Sequence, residues 1–300
     1  MILVTGAAGY IGGAITRALA VSGVLVTGGV RRETALPNGV LPLITGDLTT
    51  AAVNLTGFTA VIHAAGLGHR RGVPEAVWRS ANVDAAINLA RQAREAGVRK
   101  FILISTAHIH GRVHDGTVTD STPPNPMDHY AVSKLQAEEA VAAAFGPGLA
   151  IIRPAAVIGP HCPGNLQLLM KLLKRSAPLP FASIVNQRSF IDVQDLARLA
   201  LLIVQSESPP PVVLAALPEA IATPALIRAL ATGMGVRPRL LPCPPGILAT
   251  GAALLRRTAM WQSLAGSFVA NPQAALALGW TPAKTLSQSL RETCAAYVVT

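Results

Sequence analysis

Residues 130–134 read Tyr-Ala-Val-Ser-Lys. On a helix, positions i and i+4 share a face, so the Lys134 ammonium would stand beside the Tyr130 phenol. Stabilising the phenolate would lower its pKa from about 10 and make Tyr130 an acid or base usable near neutral pH. The chain has three tyrosines and five lysines; random placement would yield roughly 0.05 such pairs, which argues against coincidence.

A second constellation lies at residues 5–12, Thr-Gly-Ala-Ala-Gly-Tyr-Ile-Gly. It follows an apolar strand-like run and opens a helical pattern, the context a dinucleotide loop requires. Gly6 permits a tight turn, Gly9 lets backbone approach a pyrophosphate, and Gly12 permits close helix–sheet packing. A helix starting at Tyr10 and Ile11 would offer unpaired N–H groups to phosphate. NAD binding wants a carboxylate about 20 residues further on, to accept from the ribose 2′-OH. Arg31 and Arg32 stand there instead, and an arginine fork suits a 2′-phosphate. NADP(H) is therefore favoured. NAD(H) stays open through Glu33, and a plain solvated arginine pair is the remaining reading.

These groups need a scaffold. Strand-like runs fall at residues 1–5, 24–30, 41–45, 60–63, 101–105 and 150–153, separated by helical patterns at 11–22, 83–95 and 130–145. Strands alternating with helices predict an α/β fold, a right-handed doubly wound parallel sheet of the Rossmann kind. After Pro154 the pattern changes. Pro and Gly cluster at 159–164, a basic helix covers 166–175, and strand plus helix returns at 189–204. The expected division is a dinucleotide-binding domain at 1–160 plus about 189–208. A smaller C-terminal α/β substrate domain would take about 161–188 plus 209–300.

Half of the residues are hydrophobic (51%) and only 13% charged, with aromatics at 4%. That balance predicts a packed globular chain with an aliphatic core. The net charge of +10 is spread over pairs such as Arg31-Arg32, Arg70-Arg71 and Arg256-Arg257. No basic stripe interleaved with aromatics suggests nucleic acid, so a phosphate-rich ligand is the better partner. The longest apolar stretch, residues 246–255, is too short for a membrane span and stops at Arg256. The opening Met-Ile-Leu-Val-Thr-Gly lacks a charged leader, so a cytoplasmic location is expected. Cys162, Cys243 and Cys294 show no disulfide or zinc spacing. His108, His110 and His114 lie close together but lack ligand spacing and a completing carboxylate, so no metal is expected.

The glycine spacing, the Tyr-x-x-x-Lys pair and several later elements together resemble the extended branch of the short-chain dehydrogenase/reductase superfamily, the nucleotide-sugar epimerases, dehydratases and 4-keto reductases. In that likeness, Asp47-Leu48 resembles the pair that contacts adenine. Ala64-Ala65-Gly66 is similar to the small-residue strip along which the cofactor lies. Ile-Ser-Thr-Ala-His-Ile-His-Gly at 104–111 resembles the segment carrying the catalytic hydroxyl. It places Thr106 in that role and in contact with substrate, with Ser105 as its neighbour and alternative. The Arg-Pro passage at 151–160 puts Pro154 beside the cofactor. Asn165 and Arg188 match the residues that contact and clamp the sugar diphosphate, and Leu-Gly-Trp-Thr-Pro at 278–282 matches a C-terminal element.

The resemblance implies an NAD(P)-dependent oxidoreductase acting on a nucleotide-diphosphate sugar. Residues 164–195 are most similar to a bacterial subgroup tied to surface polysaccharide synthesis. Its implied activity is 4-keto reduction of a UDP-linked 6-deoxy amino sugar; the alternative is a UDP-glucose-type 4-epimerase with retained NAD. Ala107-His108 stand where dehydratases carry Asp-Glu, which argues against dehydration. His110 replaces the usual Tyr, a departure expected to alter the substrate pocket. Reduction of a steroid-like or flavonoid-like compound and a non-catalytic NADP-sensing regulator are more remote alternatives. Relatives in this branch often form homodimers through a four-helix bundle.

Overall fold

In the computed structural model, which describes residues 1–68, 70 and 72–298, seven strands form one parallel sheet. They are β1 (Ile2–Thr5), β2 (Val26–Val30), β3 (Leu41–Ile44), β4 (Ala60–His63), β5 (Lys100–Ile104), β6 (Leu149–Pro154) and β7 (Val212–Ala215), in the order β7-β6-β5-β4-β1-β2-β3. The order reverses between β1 and β4, where a doubly wound sheet opens its ligand crevice. Arg71, half of one basic pair, lies outside the described residues.

Strand alternation builds two cores. Ile2, Val4, Ile62, Ile102, Ile104 and Ile152 face one side with α1 (Tyr10–Val21) and a later helix at Val193–Gln205. Leu3, Val61, Phe101, Leu103 and Ile151 face the other, against α2 (Ala85–Glu95) and α3 (His129–Phe145). Period-two side-chain direction is the cause, and covered faces explain the near-continuous apolar strands. β3 forms one edge, with Pro42 in its middle and Leu41 and Ile44 exposed.

A smaller sheet joins Ala156–Ile158, Arg188–Asp192 and Ala220–Ile221. Two placements differ from the sequence pattern. Val212–Ala215, expected in the C-terminal unit, pairs in parallel with β6 and extends the main sheet. Phe190–Asp192, expected with residues 1–160 in the first unit, pair with Ala156–Ile158 of that unit but in the smaller sheet and not the main one. Short apolar runs carry no signal of their partner. Asp120 fixes β7 from outside: one carboxylate oxygen accepts from the Leu214 N–H at 2.6 Å, the other from Ala274 N–H at 2.9 Å.

Inside the sheet–α3 interface, Glu138 takes a forked hydrogen bond from Arg153, with Nη2 to Oε2 at 2.6 Å and Nε to both oxygens at 3.2 Å. Both residues are buried. Removing one partner of such a pair strands the other charge. Glu138→Ala should therefore lower stability by about 3–5 kcal/mol, read by urea denaturation; a loss under about 1 kcal/mol would mean the pair is solvated.

Candidate active site

The loop after β1 has no room for side chains. Gly6 sits at φ +69°, and a Cβ there would lie 2.7 Å from the Ala65 nitrogen. A Cβ on Gly12 would meet the Gly6 carbonyl oxygen at 2.1 Å, and one on Gly9 would meet it at 3.1 Å. Gly12 thus serves packing within the loop itself. α1 begins beyond Gly9 with no side-chain cap, so its first N–H groups are free for an anion. Ala64 continues β4, its N–H bonded to the Thr5 carbonyl at 3.2 Å. The bare loop, the small-residue strip and the open helix end fit a dinucleotide pyrophosphate.

Tyr10 turns its side chain inward. Among the described residues its buried hydroxyl has no hydrogen-bond partner, and burial drives its pKa far up. Only its backbone suits the phosphate role; Ile11 packs against the core behind it. His63, at the end of β4, bonds the Thr5 hydroxyl at 2.8 Å. Burial first and the Lys134 charge second push its pKa down to about 3, so it is neutral.

At the end of β2, Arg31 donates from Nη2 to Asp47 at 2.7 Å. Asp47 also accepts from the Thr49 N–H and hydroxyl, which hold its pKa below the usual carboxylate range ahead of the Arg31 charge. The Asp47 carboxylate expected at adenine is thus engaged with Thr49 and Arg31. Arg32 is exposed. The Leu48 carbonyl is fixed by Asn88 at 2.9 Å.

Across the crevice, α3 presents Tyr130 and Lys134. Asp128 caps the helix by accepting from the Ala131 N–H at 2.8 Å. Lys134 is buried and donates to the Ile104 carbonyl at 2.6 Å, tying α3 to the end of β5. Burial lowers its pKa to about 8, against the opposing Glu138 charge. The Tyr130 ring lies between Trp78, 5.6 Å away by centroids, and His108, 6.4 Å away. Its pKa is raised, chiefly by burial and less by Asp128, while a hydrogen bond with the Thr106 side chain works the other way. This corrects the expected depression: desolvation outweighs the stabilisation foreseen from helix spacing.

Of the two hydroxyls at the end of β5, Thr106 is the one paired with Tyr130. It also accepts from the His108 N–H at 3.2 Å. Ser105 is buried, and its hydroxyl is unpaired among the described residues. His110, expected to alter the substrate pocket, is a core residue, its ring nitrogens near the Pro123 carbonyl and Arg153. Among the described residues, no cluster of three or more His, Cys, Asp or Glu side chains could hold a metal ion.

Two residues escaped the sequence reading. Asn82 lies in a π-turn, Ser80–Asp84, leading into α2. It accepts from the Leu67 N–H at 2.7 Å and donates to Ser133 at 2.9 Å, so it ties the segment after the small-residue strip to α3. Its only sequence signal is an Asn inside an otherwise helical stretch. Arg112 ion-pairs with Asp128 at 2.5 Å and donates to the Ser263 hydroxyl at 3.1 Å.

Arg188 is buried and donates to the carbonyls of Gly266, at 2.9 Å, and Arg112, at 3.4 Å. Burial and the neighbouring Arg112 charge bring its pKa down to about 10. A buried guanidinium that, among the described residues, is held only by carbonyls and feels the Arg112 charge is one that an anion would stabilise. Asn165 is exposed at the start of the helix Asn165–Lys174. Pro154 is buried at the end of β6.

The model of the NAD dependent epimerase/dehydratase family matches residues 2–215. The UDP-glucose 4-epimerase of Vibrio cholerae is 29% identical, over 99% of this chain and 95% of its own length. The ceramide reductase of Caulobacter vibrioides is 31% identical, over 94% of this chain and 86% of its own. Among solved structures, MoeE5 in complex with UDP-glucuronic acid and NAD superposes with a TM-score of 0.79. It is 26% identical, over 99% of this chain and 98% of that one.

If Tyr130 moves the proton, Tyr130→Phe should leave cofactor affinity unchanged and cut turnover by about 10²–10⁴-fold. The Lys134 value sets a pH limb. In the reductive direction, kcat/KM should fall as pH rises through about 8, because Lys134 then loses the charge that offsets a phenolate. Lys134→Arg, which stays protonated, should carry that limb upward; an unmoved limb would assign it to another group.

Proposed function

Because the chain belongs to the NAD dependent epimerase/dehydratase family, we propose that it is an NADP(H)-dependent enzyme that reduces the 4-keto group of a UDP-linked sugar. The observation that carries the cofactor choice is the end of β2. Arg31 and Arg32 are exposed there, and Asp47, the carboxylate that pairs with Arg31, is also held by Thr49. An arginine fork suits the 2′-phosphate that distinguishes NADP from NAD.

When bound, the nicotinamide supplies the hydride. The side chains do the rest. Tyr130 holds its proton to high pH, because its pKa is raised, and delivers it to the oxygen of the reduced carbon. Thr106, hydrogen-bonded with Tyr130, donates to the same oxygen before the proton arrives. The Lys134 charge offsets the phenolate left behind. Arg188 and Arg112 take the diphosphate, and Trp78 keeps the Tyr130 ring in place. Ala107 and His108 leave no acidic pair for dehydration.

A second reading is 4-epimerisation with a retained NAD. The full-length likeness to the Vibrio cholerae enzyme favours it, as does the UDP-sugar and NAD held by MoeE5. Cofactor release decides between them. Protein purified without bound nucleotide, with tighter NADPH than NADH binding, supports reduction; tightly held NAD overturns it. Arg32→Ala should weaken NADPH about tenfold to a hundredfold, the worth of a charge-assisted hydrogen bond. NADH binding should not change, as read by nicotinamide fluorescence titration. Arg188→Ala should weaken UDP by a similar factor and leave NADPH untouched.

A further inference from the structure

Residues 220–291 contain no Asp or Glu and seven Lys or Arg. Within this stretch lie two packed helices, Pro245–Leu254 and Thr258–Ala265, neither of which has a buried residue. Ile247 is 64% exposed, Leu254 80% and Leu255 72%. Arg256 and Arg257, both exposed, form the turn between the helices. Leucines left in water beside an uncompensated arginine pair need an explanation that scattered surface apolar residues do not.

We propose that this hairpin is a docking element for the surface of an anionic phospholipid bilayer. Charge and apolarity together select that partner. Lipid headgroups would take Arg256 and Arg257, and the acyl boundary would take Ile247, Leu254 and Leu255. A second copy of the chain is disfavoured, because a two-fold interface built on this stretch would bring no carboxylate from residues 220–291 to either arginine pair. Nucleic acid would pair with the arginines and leave the leucines uncovered. The ten-residue first helix is about 15 Å long, half of the bilayer core, so it lies in the interface. Among the described residues, no helix is long and apolar enough to cross a membrane.

The base of the hairpin is anchored to the candidate anion clamp. Ser263 accepts from Arg112, the Gly266 carbonyl from Arg188, and the Leu264 carbonyl from the Thr223 hydroxyl at 2.5 Å. Docking the hairpin therefore holds the substrate side of the crevice near the bilayer. The proposal does not rest on the cofactor or the sugar.

The chain carries its own reporter. Trp78 and Trp280 are buried, whereas Trp261 lies in the second hairpin helix. The full-length protein is mixed with phosphatidylcholine vesicles, or with vesicles containing phosphatidylglycerol as well. Co-sedimentation with the anionic vesicles alone, salt-sensitive and with a blue shift of tryptophan emission, is the expected result. R256E/R257E should weaken binding at least about thirtyfold, at about tenfold in affinity per 1.4 kcal/mol and about 1 kcal/mol per arginine. L254D/L255D should remove the blue shift while the thermal melt stays unchanged. Three results overturn the proposal: no co-sedimentation, equal binding to both vesicle types, or wild-type binding by L254D/L255D. A hairpin-dependent dimer in sedimentation velocity without vesicles would also overturn it, and assign the face to a second copy.

Discussion

Three stretches of bare backbone meet at the carboxyl ends of β1 and β4. The Gly6 carbonyl is crowded by Gly12, and Gly6 itself is pressed against Ala65. No residue with a Cβ fits at Gly6 or Gly12 without moving main chain. This close approach leaves α1 with open N–H groups at the crevice where the strand order reverses. Every later feature of the site is placed relative to that crevice: β5 ends across from it with Thr106, and α3 is pulled down onto β5 by the bond from Lys134 to Ile104.

Electrostatics then separate two titrating groups that share a helix face. Burial pushes Tyr130 up and Lys134 down, so one cause moves the two pKa values apart. Glu138 opposes the loss of the Lys134 charge, and Arg153 in turn holds Glu138. A carboxylate buried beside a lysine would be costly unless it were fully hydrogen-bonded, and the Arg153 fork supplies those bonds. The chain thus keeps a charged lysine in a dry place through two further residues, neither facing the crevice.

Much of this was legible in the sequence, for definite reasons. The glycine loop and the Tyr-x-x-x-Lys pair are local in the chain, so spacing alone sets their geometry, and six of the seven main strands read as period-two or continuous apolar runs. What could not be read depends on partners far away in the chain. Asn82 works because a π-turn brings it to Leu67 and Ser133. Arg112 works because Asp128 and Ser263 converge on it. Val212–Ala215 looks like any short strand until it lands on β6. The direction of the Tyr130 shift was misread for a related reason: spacing reveals a neighbouring charge, but not how much water the fold removes.

The free edge of the main sheet carries a consequence of its own. In β3, Thr45 just beyond the strand bonds its N–H to Val30 on the paired side. By alternation along a strand, Pro42 and Ile44 turn their backbone groups outward. Proline has no N–H to give, so the row of donors that would template a foreign strand is broken at its centre. Leu41 and Ile44 can remain exposed there without turning the sheet into a seed for cross-chain growth. The pyrrolidine ring lets the sheet present an oily rim to solvent without offering this edge as a template to a strand from outside.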